Sequence, residues 1–136
     1  MTTRRTTRYH TNAHLQSFCP YRHHEKNELM RDISVEGLSF KSDTHYQPGT
    51  ILTLNIPLVV PSFRVIAEVS WCQACNDNFE VGVRFLQVKE GFRIKTVEQL
   101  NYIEEYRKRV YFQEGRMLSP EEANAELVKQ YRQSTN

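Results

Sequence analysis

Two runs of alternating apolar residues constrain the fold of this chain more than any other feature of the sequence. In residues 65–71 the apolar residues take every second position, and polar residues fill most of the positions between them. Residues 79–85 show the same period of two. The turn-forming sequence Asn76-Asp77-Asn78 separates the two runs. The pattern predicts an antiparallel β-hairpin with one apolar face, and it places Trp71 on that face.

Further short strands are predicted upstream of the hairpin, where the strand pattern begins at Leu29. Residues 38–40 follow Gly37, and residues 51–56 follow a Pro-Gly turn. Successive short strands joined by tight turns are typical of a small antiparallel barrel. The chain has 136 residues, of which 39% are hydrophobic, so it is long enough for one such core and too short for two. The predicted fold class is therefore mainly β.

Two helices are predicted after Gly91, where the apolar period lengthens. A capping box at residues 96–99 predicts a helix over residues 97–112, and Gly115 ends it. Ser119 is a favourable N-cap for a second helix that begins at Pro120. The apolar stripe of the first helix contains Leu100, Ile103, Tyr106 and Val110, and the thinner stripe of the second contains Ala123, Leu127, Val128 and Tyr131. We expect the first helix to pack on the barrel and the second to dock more weakly.

The sequence divides into three predicted segments. Residues 1–12 form a flexible basic arm, residues 13–90 the barrel, and residues 91–136 a C-terminal helical extension. Four arginines precede the first acidic residue, Glu25. An anion is therefore expected near the arm.

Composition excludes several classes of protein. A formal net charge of +2 and a pI near 8.5 are too small to predict DNA or RNA as a partner. The apolar stretches are too short and too interrupted for a signal peptide or a membrane span. Three cysteines, Cys19, Cys72 and Cys75, do not form a disulfide framework. We expect a cytoplasmic protein that does not insert into a membrane.

Two motifs carry the candidate chemistry: RxxxR at residues 4–8 and DxSxxG at residues 32–37. Arginine binds phosphate oxygens and the O6/N7 edge of guanine through paired hydrogen bonds. Aspartate accepts hydrogen bonds from the N1–H and amino groups of guanine, and serine donates to phosphate. Glycine permits a close backbone approach. Together the motifs predict a site for a guanine nucleotide that needs no metal.

With these motifs the chain resembles the PilZ domain family, the bacterial receptors of the second messenger cyclic di-GMP. The resemblance covers roughly residues 4–88 and includes the order and spacing of the motifs, the strand ending in Trp71 and the closing strand at residues 79–85. It implies a PilZ-type β-barrel followed by C-terminal helices. It also implies a cytoplasmic receptor that is not an enzyme and whose ligand, cyclic di-GMP, is not a cofactor.

The resemblance implies roles for the arginines of the arm. Arg4 and Arg8 clamp phosphates and guanine edges, and Arg5 adds a further guanidinium group. Thr3 stands where relatives that bind two intercalated nucleotides often have another arginine. The number of cyclic di-GMP molecules in each site is left open.

The resemblance also implies roles for four residues of the barrel. Asp32 and Ser34 hold the other side of a guanine, and the backbone of Gly37 passes close to the ligand. Trp71, at the mouth of the barrel, offers its ring to a base.

Purely structural roles are possible for the same residues. The arginines fit a solvated tail, and Asp32, Ser34 and Gly37 fit a turn that bonds its own backbone. Trp71 fits the core, because it continues the inward stripe of its strand.

The predicted function is a single-domain cyclic di-GMP receptor that passes its signal to an unidentified downstream protein through ordering of the arm. One alternative is a PilZ-like interaction subunit that binds no nucleotide. Another is a thiol or zinc protein that uses the CxxC pair Cys72 and Cys75, with Cys19, His23 and His24 as further candidate ligands. A closed zinc site would need the loop around residue 20 to meet the hairpin, and no helix is predicted after Cys72 to acidify its thiol, so no metal site and no catalytic residue are expected.

Overall fold

The computed structural model describes residues 7–20 and 24–134. Within these ranges the chain forms seven β-strands and two α-helices. The strands are β1 (Tyr9–His10), β2 (His14–Cys19), β3 (His24–Ile33), β4 (Gly37–Ser42), β5 (Ile51–Ile56), β6 (Phe63–Cys75) and β7 (Asn78–Leu86). The helices are α1 (Glu90–Glu114) and α2 (Pro120–Ser134).

Six of the strands close into an antiparallel barrel. Their order is β2-β5-β6-β7-β4-β3, and pairing between β3 and β2 completes the circle. Strand β1 adds to the end of β3, with His10 opposite Asp32. Closure pairs the backbone of each barrel strand on both sides. The predicted small antiparallel barrel followed by C-terminal helices is confirmed.

The predicted hairpin is formed by β6 and β7. Its pairing runs from Ile66 opposite Leu86 to Cys75 opposite Asn78. Asn76 has a φ of +56°, which asparagine adopts more readily than most residues do. The hairpin fixes the register on which the outer face of the barrel depends.

Strand β2 was not predicted, and β3 begins before the predicted start of the strand region at Leu29. In β2 the buried positions alternate as expected for a strand: Leu15, Ser17 and Cys19 face inward. The buried residue in the middle of β2 is a serine and the residue before it is also polar, so the sequence of β2 does not show a regular apolar alternation. The barrel therefore contains one strand more than the apolar pattern indicates.

The core fills the barrel and extends along α1. The large side chains inside the barrel, such as Phe40 and Phe63, are fully buried together with Leu100 of α1. A second cluster lies between the helices and contains Ile103, Tyr106, Val110 and Ala123. The first half of α1 therefore packs on the barrel and the second half packs on α2.

Helix α1 begins at Glu90, so the predicted start at residue 97 is wrong. Thr96 is already inside the helix, and its hydroxyl donates to the Phe92 carbonyl at 3.0 Å. The ring of Phe92 lies 5.2 Å from that of Phe63 in the barrel. Tertiary packing of this kind stabilises a first turn that Gly91 weakens.

The other predicted helix boundaries are confirmed. Gly115 ends α1 with a φ of +69°, and its N–H donates to the Tyr111 carbonyl at 2.9 Å. The Ser119 hydroxyl accepts the Glu122 N–H at 3.0 Å, and the Glu122 carboxylate accepts the Ser119 N–H at 2.8 Å. These two bonds form the capping box that the sequence indicates.

Polar contacts support the docking of α2. The Tyr106 hydroxyl donates to Glu126 at 2.6 Å, and Arg116 donates to the same carboxylate at 2.8 Å. The Arg116 hydrogen bond, followed by that of Tyr106, lowers the pKa of Glu126 to about 2. Tyr131 is 70% exposed, so the apolar face of α2 is only partly covered.

Across the described residues, no helix has the length and apolar character that a membrane crossing requires.

Glu28 is an acidic residue on the inner side of β3. It lies opposite Leu15, is only 8% exposed, and its Oε2 finds no hydrogen-bond partner within the described residues. Burial raises the pKa of Glu28 more than the Ser42 hydrogen bond and the charge of Lys26 lower it. The ionised form of Glu28 therefore destabilises the fold.

We expect Glu28→Gln to raise the free energy of unfolding at pH 7 by about 1 kcal/mol, because the amide has no charge to desolvate. The gain should shrink as the pH falls to about 3.5, below the ordinary pKa of 4.5, because the carboxyl then becomes mostly neutral in the unfolded chain as well as in the folded one. Urea denaturation at both pH values measures this difference. Glu25→Gln, at an exposed position on the same strand, is the control. Equal effects of Glu28→Gln at the two pH values would contradict the account.

Candidate functional site

Four strands place four residues side by side on the outer face of the barrel. Asp32 pairs with Ser39, Ser39 pairs with Gly82, and Gly82 pairs with Trp71. Cross-strand neighbours share a face of the sheet. We call these four residues the outer row.

Two β-bulges turn the ends of the outer row toward solvent. The pairing register shifts between Met30 and Asp32 on β3, and between Val69 and Trp71 on β6. A bulge sets two residues opposite one, so the residues beyond it change face. Asp32 and Trp71 consequently lie outside the barrel, although Met30 and Val69 two positions earlier point into the core.

The bulge on β6 corrects the prediction for Trp71. The sequence placed Trp71 on the inward face of its strand, whereas its side chain is on the outer face and 37% exposed. The purely core role for this residue is therefore wrong. Its neighbour Cys72 packs against the core instead.

The indole of Trp71 lies against the backbone of Gly82. A β-carbon at position 82 would lie 2.1 Å from Cε2 of the indole and 2.2 Å from Nε1, far inside contact distance. Only glycine leaves this space for the ring. The exposed part of the ring is an aromatic surface in line with Ser39 and Asp32.

Asp32 connects the two sequence motifs. Its Oδ1 accepts a hydrogen bond from Arg8 Nη2 at 2.6 Å and another from the Ser39 hydroxyl at 2.8 Å. Burial raises the pKa of Asp32, but the bonds from Arg8 and Ser39 and the charges of Arg8 and Arg31 lower it further. The carboxylate is therefore ionised at neutral pH and acts as an acceptor.

Ser34 and Gly37 build the turn between β3 and β4. The buried Ser34 hydroxyl donates to the Gly37 carbonyl and accepts the Glu36 N–H, both at 3.3 Å. A β-carbon at position 37 would lie 2.0 Å from the Val83 carbonyl oxygen, so the close approach here is to strand β7. Both residues have the structural role that the turn allows, and their direct contact with a ligand stays a prediction.

Arg4 and Arg5 lie outside the described residues, and Arg8 is the one arginine of the RxxxR motif that the structure places beside the outer row.

Sequence reasoning missed three residues of the site: Arg31, Ser39 and Gly82. Ser39 bonds Asp32, Gly82 accommodates the indole, and the exposed Arg31 stands at the β3 bulge with its charge near Asp32. The alternation of residues 38–40 and 81–83 indicates that Ser39 and Gly82 face outward. The cross-strand register that brings them between Asp32 and Trp71 cannot be read from that alternation.

The cysteines do not converge on a metal site in the described part of the chain. Cys19 is buried in β2, whereas Cys72 and Cys75 lie three positions apart on β6, and all three thiols are free. Side chains three apart on a strand point to opposite faces. Among the described residues no three His, Cys, Asp or Glu side chains form a cluster that could hold a metal ion. His23 and the side chain of His24 lie outside them.

The barrel and its outer row define a small β-barrel domain with a polar and aromatic site on its outer face, where Asp32 and Trp71 reach solvent. The sequence model of the PilZ domain matches residues 2–102, so the chain belongs to the PilZ domain family. This family comprises receptor and effector domains rather than enzymes. The resemblance inferred from the two motifs is thereby confirmed. A search of curated proteins found no significant match.

Solved structures of PilZ proteins share the fold. The PilZ domain of YcgR from Escherichia coli, solved with c-di-GMP, is 15% identical with a TM-score of 0.63, and the match covers 80% of this chain and 98% of that domain. MotI/DgrA of Bacillus subtilis, an inhibitor of motility, is 16% identical with a TM-score of 0.61, and the match covers 77% of this chain and 53% of that one. The MrkH–c-di-GMP complex of K. pneumonia is 13% identical with a TM-score of 0.57, and the match covers 80% of this chain and 56% of that one. The chain therefore matches about half the length of these last two proteins.

We expect Gly82→Ala to displace the Trp71 indole, because the added methyl group occupies the space of the ring. Trp71 is the single tryptophan of the chain, so its fluorescence reports on the site directly. Emission should shift to longer wavelength in the variant, and the free energy of unfolding should fall by about 1 to 3 kcal/mol. Gly91→Ala, at a position with open space around it, should leave the emission unchanged. An unshifted emission spectrum in Gly82→Ala would contradict the described contact.

Proposed function

We propose that this chain is a receptor for cyclic di-GMP and that the outer row is its binding surface. The observation that carries the proposal is the Arg8–Asp32 ion pair at 2.6 Å, at one end of a row that ends in an exposed aromatic ring. An arginine, an ionised carboxylate and an aromatic surface are groups that bind the phosphates, the hydrogen-bonding edge and the base of a guanine nucleotide. The PilZ domain of YcgR and the MrkH protein were solved with c-di-GMP, which supports the same ligand here.

Trp71, Asp32 and Arg8 each have a role in the proposed complex. The exposed ring of Trp71 stacks on a guanine base, since stacking needs only a free π-face. Both described hydrogen bonds to Asp32 fall on Oδ1, which leaves Oδ2 to accept from the N1–H and amino groups of guanine. Arg8 turns from Asp32 toward a phosphate or a guanine edge.

Charge balance requires more than one cation at the site. Cyclic di-GMP carries two phosphodiester charges, and Arg8 neutralises one of them. Arg4 and Arg5 supply further guanidinium groups in the proposal, together with Arg31 at the β3 bulge. In the proposal the N-terminal arm orders over the ligand, because the two phosphates give its arginines anionic partners.

Contacts between the arm and the helices offer a route for the signal. Arg107 of α1 donates to the Asn12 side chain at 3.0 Å and to the Leu118 carbonyl, beyond the end of α1, at 2.7 Å. At the start of β2, the His14 backbone N–H and ring both contact the Glu121 carboxylate of α2 at 3.3 Å. A ligand that draws the arm across the outer row therefore changes the surface that the helices show to a downstream protein.

Calorimetric titration tests the proposed ligand. We expect cyclic di-GMP to bind with a dissociation constant of micromolar order or tighter, about −8 kcal/mol, and GTP and cyclic GMP to bind far more weakly. Arg8→Ala should weaken binding by about 1.5 to 3 kcal/mol, because charge-assisted hydrogen bonds are lost. It should also make the affinity less dependent on salt, since one cation–phosphate contact is gone.

The matched control is Arg64→Ala, which removes an exposed arginine near the start of β6, outside the outer row. This variant should keep the affinity of the wild type. No heat at about 100 μM cyclic di-GMP would overturn the proposal. Equal salt dependence in wild type and Arg8→Ala would remove the phosphate role from Arg8.

A further inference from the structure

The first turn of helix α1 reaches back to the turn between β3 and β4. Arg93 Nη1 donates a hydrogen bond to the Val35 carbonyl at 3.1 Å, across 58 positions of sequence. Val35 lies between Ser34 and Gly37, inside the DxSxxG motif. The motif turn, which follows Asp32 by two residues, is thus bonded directly to the helical extension.

The turn is held on two sides. Within it, the Ser34 N–H donates to the Gly37 carbonyl at 2.8 Å, and on the β7 side the Phe85 N–H donates to the Glu36 carbonyl at 2.9 Å. Arg93 supplies the bond on the α1 side. Strand β7 and helix α1 therefore both hold the turn in position.

The surroundings of Arg93 are unusual for a helix arginine. Its Nε is buried and has no hydrogen-bond partner among the described residues. An arginine on a helix surface normally keeps its N–H groups in water, and burying an N–H group without a hydrogen-bond partner costs free energy. The position of this side chain is thus explained by its bond to Val35 and not by solvation.

We infer that Arg93 is a positioning residue that couples the ligand site to α1. The inference rests on the proposed function, since it assigns the route by which occupancy of the Asp32 site reaches the helices. A ligand that moves the turn moves the Val35 carbonyl, and the guanidinium group must follow it or lose the bond. Arg93 sits one position after Phe92, whose ring packs on Phe63, so its displacement tilts the first turn of α1.

Amide hydrogen exchange in the ligand-free protein tests the positioning role. Arg93→Met keeps the aliphatic stem and removes the donor, and it should speed exchange of the Ser34 and Phe85 amides about fivefold. Arg93→Lys keeps the charge and one donor, so it should restore most of the protection. Lys95→Met removes an exposed charge from the same helical turn and should change neither amide. Unchanged protection in Arg93→Met, or an equal loss in Lys95→Met, would overturn the inference.

Exchange with saturating cyclic di-GMP tests the coupling. In the wild type and in Arg93→Lys, ligand should change the protection of residues 90–99. In Arg93→Met the arm should still gain protection, while residues 90–99 should no longer respond. A wild-type helix that never responds, or an Arg93→Met helix that responds as the wild type does, would overturn the coupling. Failure of the wild type to bind at all would overturn the proposed function, and the ligand-free comparison would still decide whether Arg93 holds the turn.

Discussion

The strand register of the closed barrel, together with its two β-bulges, determines which side chains lie on the outer face. A closed sheet leaves no strand free to shift, so each residue has a fixed neighbour on both sides. The bulges at Arg31 and Ser70 then reverse the inward and outward positions beyond them. Without these two reversals Asp32 and Trp71 would point into the core, and the barrel would have no polar and aromatic row on its surface.

The residues of the two sequence motifs take different parts in this arrangement. Arg8 and Asp32 meet directly, and their hydrogen bonds, together with that of Ser39, keep the Asp32 carboxylate charged despite partial burial. Ser34 and Gly37 instead build the turn that sets where Asp32 sits and where β4 begins. The DxSxxG motif therefore combines a carboxylate that faces solvent with residues that build the turn beside it.

Much of the fold could be predicted from the sequence, because the signals that determine it are local. The alternation in β6 and β7, the glycine that ends α1 and the capping box of α2 each depend on a few neighbouring residues. Three other features depend on long-range pairing or packing, so local sequence patterns do not reveal them. They are the orientation of Trp71, the start of α1 and the existence of β2. The roles of Ser39 and Gly82 were missed for the same reason: the contacts that define them come from strands distant in sequence.

The emission of Trp71 during titration with cyclic di-GMP tests the central claim most directly, because the only tryptophan of the chain lies in the outer row. Stacking of guanine on the indole should quench the emission in a saturable manner, with the same midpoint as the calorimetric heat. Asp32→Ala, which leaves the Trp71–Gly82 contact intact, should move that midpoint to higher concentration. Calorimetric binding without any change in Trp71 emission would contradict the account, because the ligand would then lie away from the outer row.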